Sequence, residues 1–420
     1  MDRLRCFIGI SVFWVGLSVI GDGFTALVVP FRLAGLTDPA HHATLIGLVT
    51  FVGLLVGVLV QPIAGAASDA MHRRWGRSGT LLIGVALTLP ALATFATLPS
   101  MVSVLVAFLV LQVGANIAQA SQQGFLPDLV EKGWRGRAAG LKGFADLAGA
   151  FIGFLVLGTL LARGDPTPAV AAAGLLLVVT ALLGVRLVSE PPLPTINIPR
   201  PSLRSVFEID LRTHRDFVRV VVARFMFLLG TFTIGRYLLL FVSERLGIDP
   251  MTAADETGGL LAALTLITAL GALPGGWLAD RLGRTRTMIA GSLLAVVGAT
   301  MLVLAETVPA MLLFGAVLSV GTATFAAANW AMTADLVPAS EAARFFGLAN
   351  IGTGGAAAAA GLLGPPIDIV RAALPGLGYG VVIGAAVVAF VVATFVAKTL
   401  LPIGQPAPDM APALNPPSQA

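Results

Sequence analysis

Long apolar stretches recur along almost the whole chain, and they constrain its fold more than any other feature of the sequence. Each is long enough to cross, as a helix, a hydrocarbon layer about 30 Å thick. Of the 420 residues, 57% are hydrophobic and 11% are charged, whereas about a quarter of a soluble domain is charged. Because so few charges cannot cover a water-exposed surface, the sequence predicts an all-α membrane protein surrounded by a lipid bilayer.

The apolar stretches number twelve between residues 6 and 400. The first is too long for a cleavable signal peptide, so it is predicted to be the first membrane helix. Most of the 26 Lys and Arg fall on the side of the membrane that holds the termini. Arg224 is counted on that side, whereas Arg236 lies inside a span. The opposite loops hold only Arg32, Arg163, Arg245 and Arg371. This bias predicts twelve transmembrane helices with cytoplasmic N- and C-termini, in the plasma (inner) membrane.

A proline-rich polar segment divides the twelve stretches into two sets of six. Proline ends the sixth helix there and favours an extended linker. We therefore predict an N-terminal six-helix bundle over residues 1–188, a cytoplasmic linker over 189–216 and a C-terminal six-helix bundle over 217–401. The Pro- and Ala-rich tail, 402–420, has almost no charge and is predicted to be disordered.

The two sets of stretches carry matching motifs. The segment after the second stretch contains Gly65, Asp69, Arg73, Arg74 and Arg77, and the segment after the eighth repeats the spacing with Gly276, Asp280 and Arg284. A second match places Asp128 and Arg137 after the fourth stretch, and Asp335 and Arg344 after the tenth. Two independent matches at nearly equal separation are typical of an internal duplication.

These motifs resemble the signature loop of the major facilitator superfamily, and the resemblance covers the chain from about residue 6 to residue 400. It implies two pseudo-symmetric six-helix bundles that transport a small-molecule substrate by alternating access. Gln61 and Pro62, with Trp75 and Gly76 further on, are similar to the cation-coupled sugar symporters of the family. The run around Asp22 is more similar to efflux members, so the subfamily is left open.

The resemblance also implies a gate at the cytoplasmic side. Asp69 would face the start of the eleventh helix near Arg344, and Asp280 the start of the fifth helix near Arg137, where a carboxylate stabilises a helix N-terminus. Such contacts would hold the cytoplasmic side closed. The alternative for the arginines is that they only fix topology. The predicted gate comprises Gly65, Asp69, Arg73, Arg74, Arg77, Asp128, Arg137, Gly276, Asp280, Arg284, Asp335 and Arg344.

Two charged residues lie deep inside predicted spans: Asp22 in the first and Arg236 in the seventh. A charge near the bilayer midplane costs about 3 kcal/mol on insertion scales, so it normally faces a partner or a watery cavity. Aligning the halves superposes the two residues, and helices one and seven line the cavity in the resembled family. We expect Asp22 to couple transport to a proton or cation, and Arg236 to bind an anionic group or to pair with Asp22. The alternative is a static ion pair.

Polar residues at helical spacing predict two stripes on the same cavity. The first helix carries Ser18 and Thr25, and the fourth carries Gln112, Asn116 and Gln119. In the second half, Trp330 and Tyr237 are expected to supply stacking or shape contacts to the solute. The alternative for the amides is interhelical hydrogen bonding worth about 1 kcal/mol each. Lys142 and Asp146 are predicted to form a local ion pair one turn apart.

Several kinds of chemistry have no signature in the sequence. No His, Cys or carboxylate cluster has metal-ligand spacing, and no glycine-rich nucleotide loop occurs. Cys6 is the only cysteine, so an intramolecular disulfide is excluded. The basic residues form no aromatic-interleaved patch for nucleic acid. We expect neither a cofactor nor a metal, no nucleic-acid partner and no catalytic residues, so the chain is not predicted to be an enzyme.

The features together predict a monomeric secondary active transporter for a small polar or amphipathic organic solute, coupled to protons or to another cation such as sodium. One alternative is a drug or metabolite efflux antiporter. Another is a non-transporting membrane scaffold or assembly factor with the same fold. A scaffold has no reason to retain Asp22 and Arg236, which favours transport.

Overall fold

The computed structural model describes residues 3–131, 134–190, 214–337, 342–374 and 377–400, which are almost entirely helical and contain no strand. Eleven helices within this part are long and apolar enough to cross a membrane. The all-α class is therefore confirmed. Most of the predicted linker and the whole predicted tail lie outside the described residues, as do the side chains of Asp69, Arg73, Arg74 and Arg344.

The helices are numbered here in chain order. They are α1 (Arg3–Ala34), α2 (Pro39–Gly65), α3 (Gly76–Thr97), α4 (Met101–Leu129), α5 (Arg135–Leu161), α6 (Thr167–Leu187), α7 (Arg215–Leu246), α8 (Pro250–Leu282), α9 (Arg284–Leu302), α10 (Val308–Leu336), α11 and α12 (Gly380–Lys398). The remaining segment, α11, lies where the eleventh span is predicted and is interrupted. It joins an α-helix, Ala342–Ala359, through a 3₁₀ turn to a second α-helix, Gly364–Ala373.

Local side-chain contacts fix where several helices begin. Ser100 caps α4, Asp249 caps α8 and Thr307 caps α10, each accepting a hydrogen bond from a backbone N–H of the first turn. Between α2 and α3 the chain turns at Gly76, whose φ of 67° lies in the left-handed region that favours glycine. The Glu190 carboxylate then accepts backbone N–H bonds at the start of α3.

Helix packing follows the same pattern in the two halves of the chain. In the first half α1 packs on α5 and α6, and in the second α7 packs on α11 and α12. Helices α5 and α8, and helices α2 and α11, make most of the contacts that join the halves, and α1 adds contacts with α7. Stacked rings of Phe227 and Phe325, 3.9 Å apart, with Phe390 beside them, fill the space between α7, α10 and α12.

The outer surface of the helices is apolar. Leu273 is 84% exposed, and large aliphatic side chains such as Val102 and Leu270 are also mostly uncovered. Apolar surface of this extent is unfavourable in water and is stable against lipid tails.

The two ends of the molecule differ in charge. We call the end that carries the α2–α3, α4–α5 and α8–α9 connections the basic face, and the other end the opposite face. At the basic face, Arg77 Nε lies 2.5 Å from Asp128 Oδ2 and joins the start of α3 to the end of α4. Arg284 Nε lies 3.3 Å from Asp335 Oδ2 and joins the start of α9 to the end of α10. The four residues, predicted as parts of a gate between the halves, form one equivalent ion pair inside each half.

We predict that the Arg77–Asp128 ion pair stabilises the first half. Its side chains are 11% and 30% exposed, so the pair is intermediate between a surface and a buried pair. Arg77→Gln and Asp128→Asn should each lower the free energy of unfolding by about 1–3 kcal/mol. The double variant should lose less than the sum, because the interaction between the two side chains is lost with the first substitution and cannot be lost again.

Thermal unfolding of the detergent-solubilised protein measures this coupling as a double-mutant cycle. Combining Arg77→Gln with Asp335→Asn in the other half is the matched control, and those two losses should add. Additive losses for Arg77→Gln and Asp128→Asn would contradict the prediction.

Candidate functional site

A continuous cavity runs between the two halves of the chain. Its first part, which we call the mouth, has a volume of about 1060 Å³ and is lined by α1, α2, α4 and α5 on one side and by α7, α8, α10 and α11 on the other. Its second part, the inner chamber, has a volume of about 800 Å³. The two parts share Asp22, Gln119, Asp146 and Trp330 in their walls. A cavity of this size accommodates a small organic molecule with its water.

The mouth reaches the basic face. Its wall includes Ala139 and Gly140 in the first two turns of α5, and both residues are exposed. Asn350, near the start of α11, is exposed in the same wall. Solvent therefore enters the cavity from the basic face.

Close backbone contacts close the cavity toward the opposite face. A Cβ atom at Gly47 of α2 would lie 2.1 Å from the carbonyl oxygen of Gly361 in α11. A Cβ atom at Gly158 of α5 would lie 2.9 Å from the Cα atom of Gly258 in α8. Only glycine permits helices to approach so closely. We call these two glycine pairs, with the contacts around them, the seal.

Polar contacts reinforce the seal. The buried Asp368 carboxylate of α11 accepts a 2.7 Å hydrogen bond from the backbone N–H of Thr44, in the first turn of α2. Arg371 Nη1 donates to the carbonyl oxygen of Pro39 at 3.0 Å, and Arg371 Nε lies 3.0 Å from a carboxylate oxygen of Glu244. The bonds to Thr44 and Pro39 join the two halves at the opposite face, and the pair with Glu244 holds Arg371 within the second half.

Asp22 lies on the cavity wall within an unusual stretch of α1. Residues Val19–Val28 form a π-helix, which the sequence pattern does not predict. π-helical turns are rare and occur mostly at functional sites. A Cβ atom at Gly21 would contact nothing within 4 Å, whereas one at Gly23 would lie 2.9 Å from the backbone of Gly153 in α5. Gly23 therefore lets α1 touch α5, and Asp22 remains exposed in the cavity.

A second carboxylate of the cavity was not predicted as part of the site. Asp146 of α5 lies in the walls of both cavity parts and accepts a short hydrogen bond from Ser18 Oγ of α1. Its other oxygen lies 3.5 Å from Lys142 Nζ, which confirms the predicted local pair. Lys142 Nζ also lies 3.6 Å from the ring centroid of Trp14. The helical spacing predicted this pair but gave no sign that it faces the cavity.

The amides predicted on α4 lie together on the wall of the mouth. Gln112, Asn116, Gln119 and Gln123 all border it, and the Asn116 side chain donates a 2.8 Å hydrogen bond to the carbonyl oxygen of Gln112. Ser18 borders the mouth and Thr25 borders the inner chamber.

Arg224 lies inside the protein and not at the edge of a span, where the charge count placed it, so that assignment is wrong. It is 7% exposed and lines the mouth from α7. Its Nε donates to Thr353 Oγ1 at 2.9 Å, and its guanidinium carbon lies 3.9 Å from the ring centroid of Trp330. Hydropathy alone could not find it, because a single charge near the end of a span resembles a juxtamembrane anchor.

Arg236 lines the inner chamber from α7 and is 6% exposed. Its Nη2 donates to the carbonyl oxygen of Ala357 at 3.0 Å, and its Nη1 has no hydrogen-bond partner in the described part of the chain. Asp22 lines the same chamber, and the two residues form no ion pair among the described residues. The structure therefore brings the acid and the base into one cavity without joining them.

Other predicted site residues lie elsewhere in this conformation. Tyr237 is fully buried and donates a 3.1 Å hydrogen bond to the carbonyl oxygen of Gly361, so it belongs to the seal and not to the cavity wall. At the basic face, Asp280 pairs with Arg284 on its own side, and the Arg137 guanidinium lies 4.4 Å from the ring centroid of Trp134.

The glycines of the predicted gate are not in tight contacts. A Cβ atom at Gly65 or Gly276 would contact nothing within 4 Å. The gate residues that the structure describes thus lie around an open basic face in this conformation, and contact of the predicted gate across the halves stays a prediction.

Comparison with known proteins identifies a family and a curated relative. The model of the family described as Major Facilitator Superfamily matches residues 6–255 and 220–416. The uncharacterized MFS-type transporter YceJ of Bacillus subtilis (strain 168) is 29% identical over 294 residues, which are 68% of this chain and 70% of that protein.

Solved structures share the architecture at low sequence identity. The nucleoside transporter NupG, solved as a mutant, superposes with a TM-score of 0.72 at 14% identity, over 94% of this chain and 99% of that one. The D-xylose-proton symporter superposes with a TM-score of 0.67 at 16% identity, over 93% and 96%. An inward-facing, occupied bacterial homolog of the human lysosomal transporter Spinster gives 0.67 at 14% identity, over 94% and 95%.

We predict that a side chain in the seal opens the opposite face. Gly361→Val should weaken the contact between α2 and α11 by about 1–3 kcal/mol, because the added atoms overlap Gly47 and Phe51. Spin labels at His41, exposed at the start of α2, and at Leu304, exposed in the α9–α10 connection, should then move apart in double electron–electron resonance measurements. The labels are introduced after Cys6, the only cysteine, is replaced by serine.

Gly259→Val is the matched control, because a Cβ atom at Gly259 of α8 would contact nothing within 4 Å. The control should leave the distance distribution unchanged. An unchanged distribution in folded Gly361→Val protein would show that the glycine contacts do not hold the face closed.

Proposed function

Because this chain belongs to the Major Facilitator Superfamily and is a multi-pass membrane transporter, we propose that it moves a small polar or amphipathic organic solute by alternating access, coupled to protons or another cation. The observation that carries this proposal is the cavity between the halves. It opens at one face, is closed by the seal at the other and contains an acid and a base that are not paired with each other. A solute bound there is accessible from one side of the membrane only.

The proposed orientation places the basic face in the cytoplasm, in agreement with the positive-inside rule. In this assignment the conformation is open to the cytoplasm. The cycle then needs a second conformation in which the seal opens and the basic face closes. We propose that Asp69 and Asp280 of the repeated motifs stabilise that second conformation by contacting α11 and α5 across the halves.

Asp22 is proposed as the coupling residue. It is exposed to the cavity and makes no ion pair in the described part of the chain, so a proton or a cation reaches it from the open face. Ser18, Lys142 and Asp146 give the region a hydrogen-bonded polar lining next to it. The D-xylose-proton symporter, which shares the architecture, is by its name a proton-coupled transporter.

We predict that Asp22→Asn abolishes ion-driven accumulation. The asparagine keeps the size and hydrogen-bonding groups of the side chain but carries no charge to titrate. Proteoliposomes are exposed to a mixture of water-soluble metabolites with and without an imposed pH or sodium gradient, and their contents are measured by mass spectrometry. The wild type should enrich at least one compound with a gradient, and the variant should reach only the level seen without one.

Asp255→Asn is the matched control, because Asp255 is an exposed carboxylate of α8 that does not line the cavity. Movement of the compound opposite to the direction in which the ion flows down its gradient would identify efflux-type antiport. Movement in the same direction as the ion would identify symport. No gradient-dependent flux of any compound by folded wild-type protein would favour the scaffold alternative. Full accumulation by Asp22→Asn would refute the coupling role alone.

The proposed gate predicts a second change in transport. Asp280→Asn removes the charge that is proposed to reach the start of α5 when the basic face closes, so that closed state should be less populated. The transport rate should fall while the thermal stability of the protein changes little, because Asp280 is 69% exposed. An unchanged rate in reconstituted vesicles would contradict the gating role.

A further inference from the structure

We propose that the substrate is amphoteric, with a cationic group that binds at Asp22, an anionic group that binds at Arg236 and a largely apolar body between them. This inference rests on the proposed transport function and specifies its substrate class. It is drawn from the inner chamber, where the two residues line one space.

The base of the chamber has an unfilled donor. Arg236 is more than nine-tenths buried, one terminal nitrogen is bound to the carbonyl oxygen of Ala357, and the other, Nη1, has no partner among the described residues. A buried N–H without an acceptor costs about 1–3 kcal/mol, and more for a charged group. No carboxylate of the described chain lies within ion-pair distance of this guanidinium. A carboxylate or a similar anion of a ligand would supply the missing acceptor.

The acid of the chamber is also available to a ligand. Asp22 is exposed in the cavity and has no ion pair or side-chain hydrogen bond in the described chain. Its neighbour Asp146 differs, because Lys142 and Ser18 already contact that carboxylate. An ammonium group of a ligand therefore finds its acceptor at Asp22.

Each of the two unpaired charges gains a counter-charge only when both ends of the ligand are charged. Asp146 is offset by Lys142, which leaves Asp22 and Arg236 as the uncompensated charges of the inner chamber. Arg224 lines the mouth but not the chamber, and Thr353 and Trp330 contact its guanidinium. When the chamber closes around a ligand, uncompensated charge in a low-dielectric space is strongly unfavourable. A ligand with one positive and one negative group gives each of the two charges a partner of opposite sign and leaves the net charge of the complex at zero.

The rest of the chamber wall fits a mainly apolar body. Leucine is its most frequent residue, with Leu228 of α7 and Leu260 and Leu264 of α8 among the leucines, and Phe154 of α5 adds an aromatic ring. Hydroxyl groups such as Thr265 are bonded back to their own helix, in this case to the carbonyl oxygen of Leu261 at 2.7 Å. Such hydroxyl groups already have a hydrogen-bond partner, so they tolerate a polar ligand but do not need one.

Ligand-induced thermal stabilisation of the purified, full-length protein tests this inference. The probes are a graded series of linear ω-amino acids, from γ-aminobutyrate to ω-aminooctanoate. Each is compared with the amine and the carboxylic acid of equal chain length. The wild type should bind at least one amino acid about tenfold or more tightly than either matched compound, because each lost charge-assisted contact is worth about 1.5–3 kcal/mol.

Variants assign the two ends. Arg236→Gln should bind the amino acid no better than the amine, and Asp22→Asn should bind it no better than the carboxylic acid. Arg236→Lys keeps the positive charge and should retain part of the preference, which separates loss of charge from loss of folding. Arg163→Gln and Asp255→Asn, which remove exposed charges outside the chamber, should keep the wild-type preference.

Each contrary outcome refutes the inference. If the acid or the amine alone binds the wild type as tightly as the amino acid, the substrate has one charged group and the inference is wrong. It is also wrong if no probe binds while the metabolite mixture still shows gradient-dependent flux, and the transport function then stands. Loss of all probe binding together with all flux would overturn both proposals.

Discussion

The structure depends on one constraint: a polar group inside a membrane span must be met by protein or by water. Threonines along the spans meet it locally, as Thr50 and Thr324 do by donating to carbonyl oxygens four residues earlier on their own helices. Charged groups cannot be satisfied in this way. Asp22 and Arg236 are compatible with the bilayer because α1 and α7 border a space that solvent reaches from the basic face. The cavity is therefore both the place where a solute can bind and the condition under which these charges can exist.

The two faces of the molecule are closed or opened by different kinds of contact. At the opposite face the halves meet through glycine backbone, where no side chain has to rotate when the helices separate, and through hydrogen bonds such as that from Thr44 to Asp368. At the basic face the ion pairs among the described residues lie within each half, as that of Arg77 with Asp128 does. Rigid halves with a smooth contact between them can change their relative position without repacking their cores. This division of contacts suits alternating access.

The sequence predicted the helical class, the repeated motifs and the family, because apolar length and internal repetition are properties of the chain itself. It also predicted that Asp22 and Arg236 line one cavity, because a charge inside a span normally faces a partner or a watery cavity. It did not identify Asp146 or Arg224 as cavity residues, because spacing shows which residues share a face of a helix and not which helix lies opposite. Tyr237 was placed on the cavity wall for the same reason. Its hydroxyl contacts a carbonyl group in a 3₁₀ turn of α11 that no pattern in the sequence indicates.

The π-helical stretch Val19–Val28 makes the direction of the Asp22 side chain depend on the register of α1. Its hydrogen bonds reach one residue further than those of an α-helix, as in the bond from the Val29 backbone N–H to the Phe24 carbonyl oxygen. If the stretch tightened to α-helical bonding, the residues on its two sides would turn relative to one another by about 100°, the angle between successive residues of an α-helix. Such a twist would turn the carboxylate from one environment to another while one end of α1 kept its contacts with α5 and α6. A change of register within the first helix would thus reorient Asp22 without any movement between the halves.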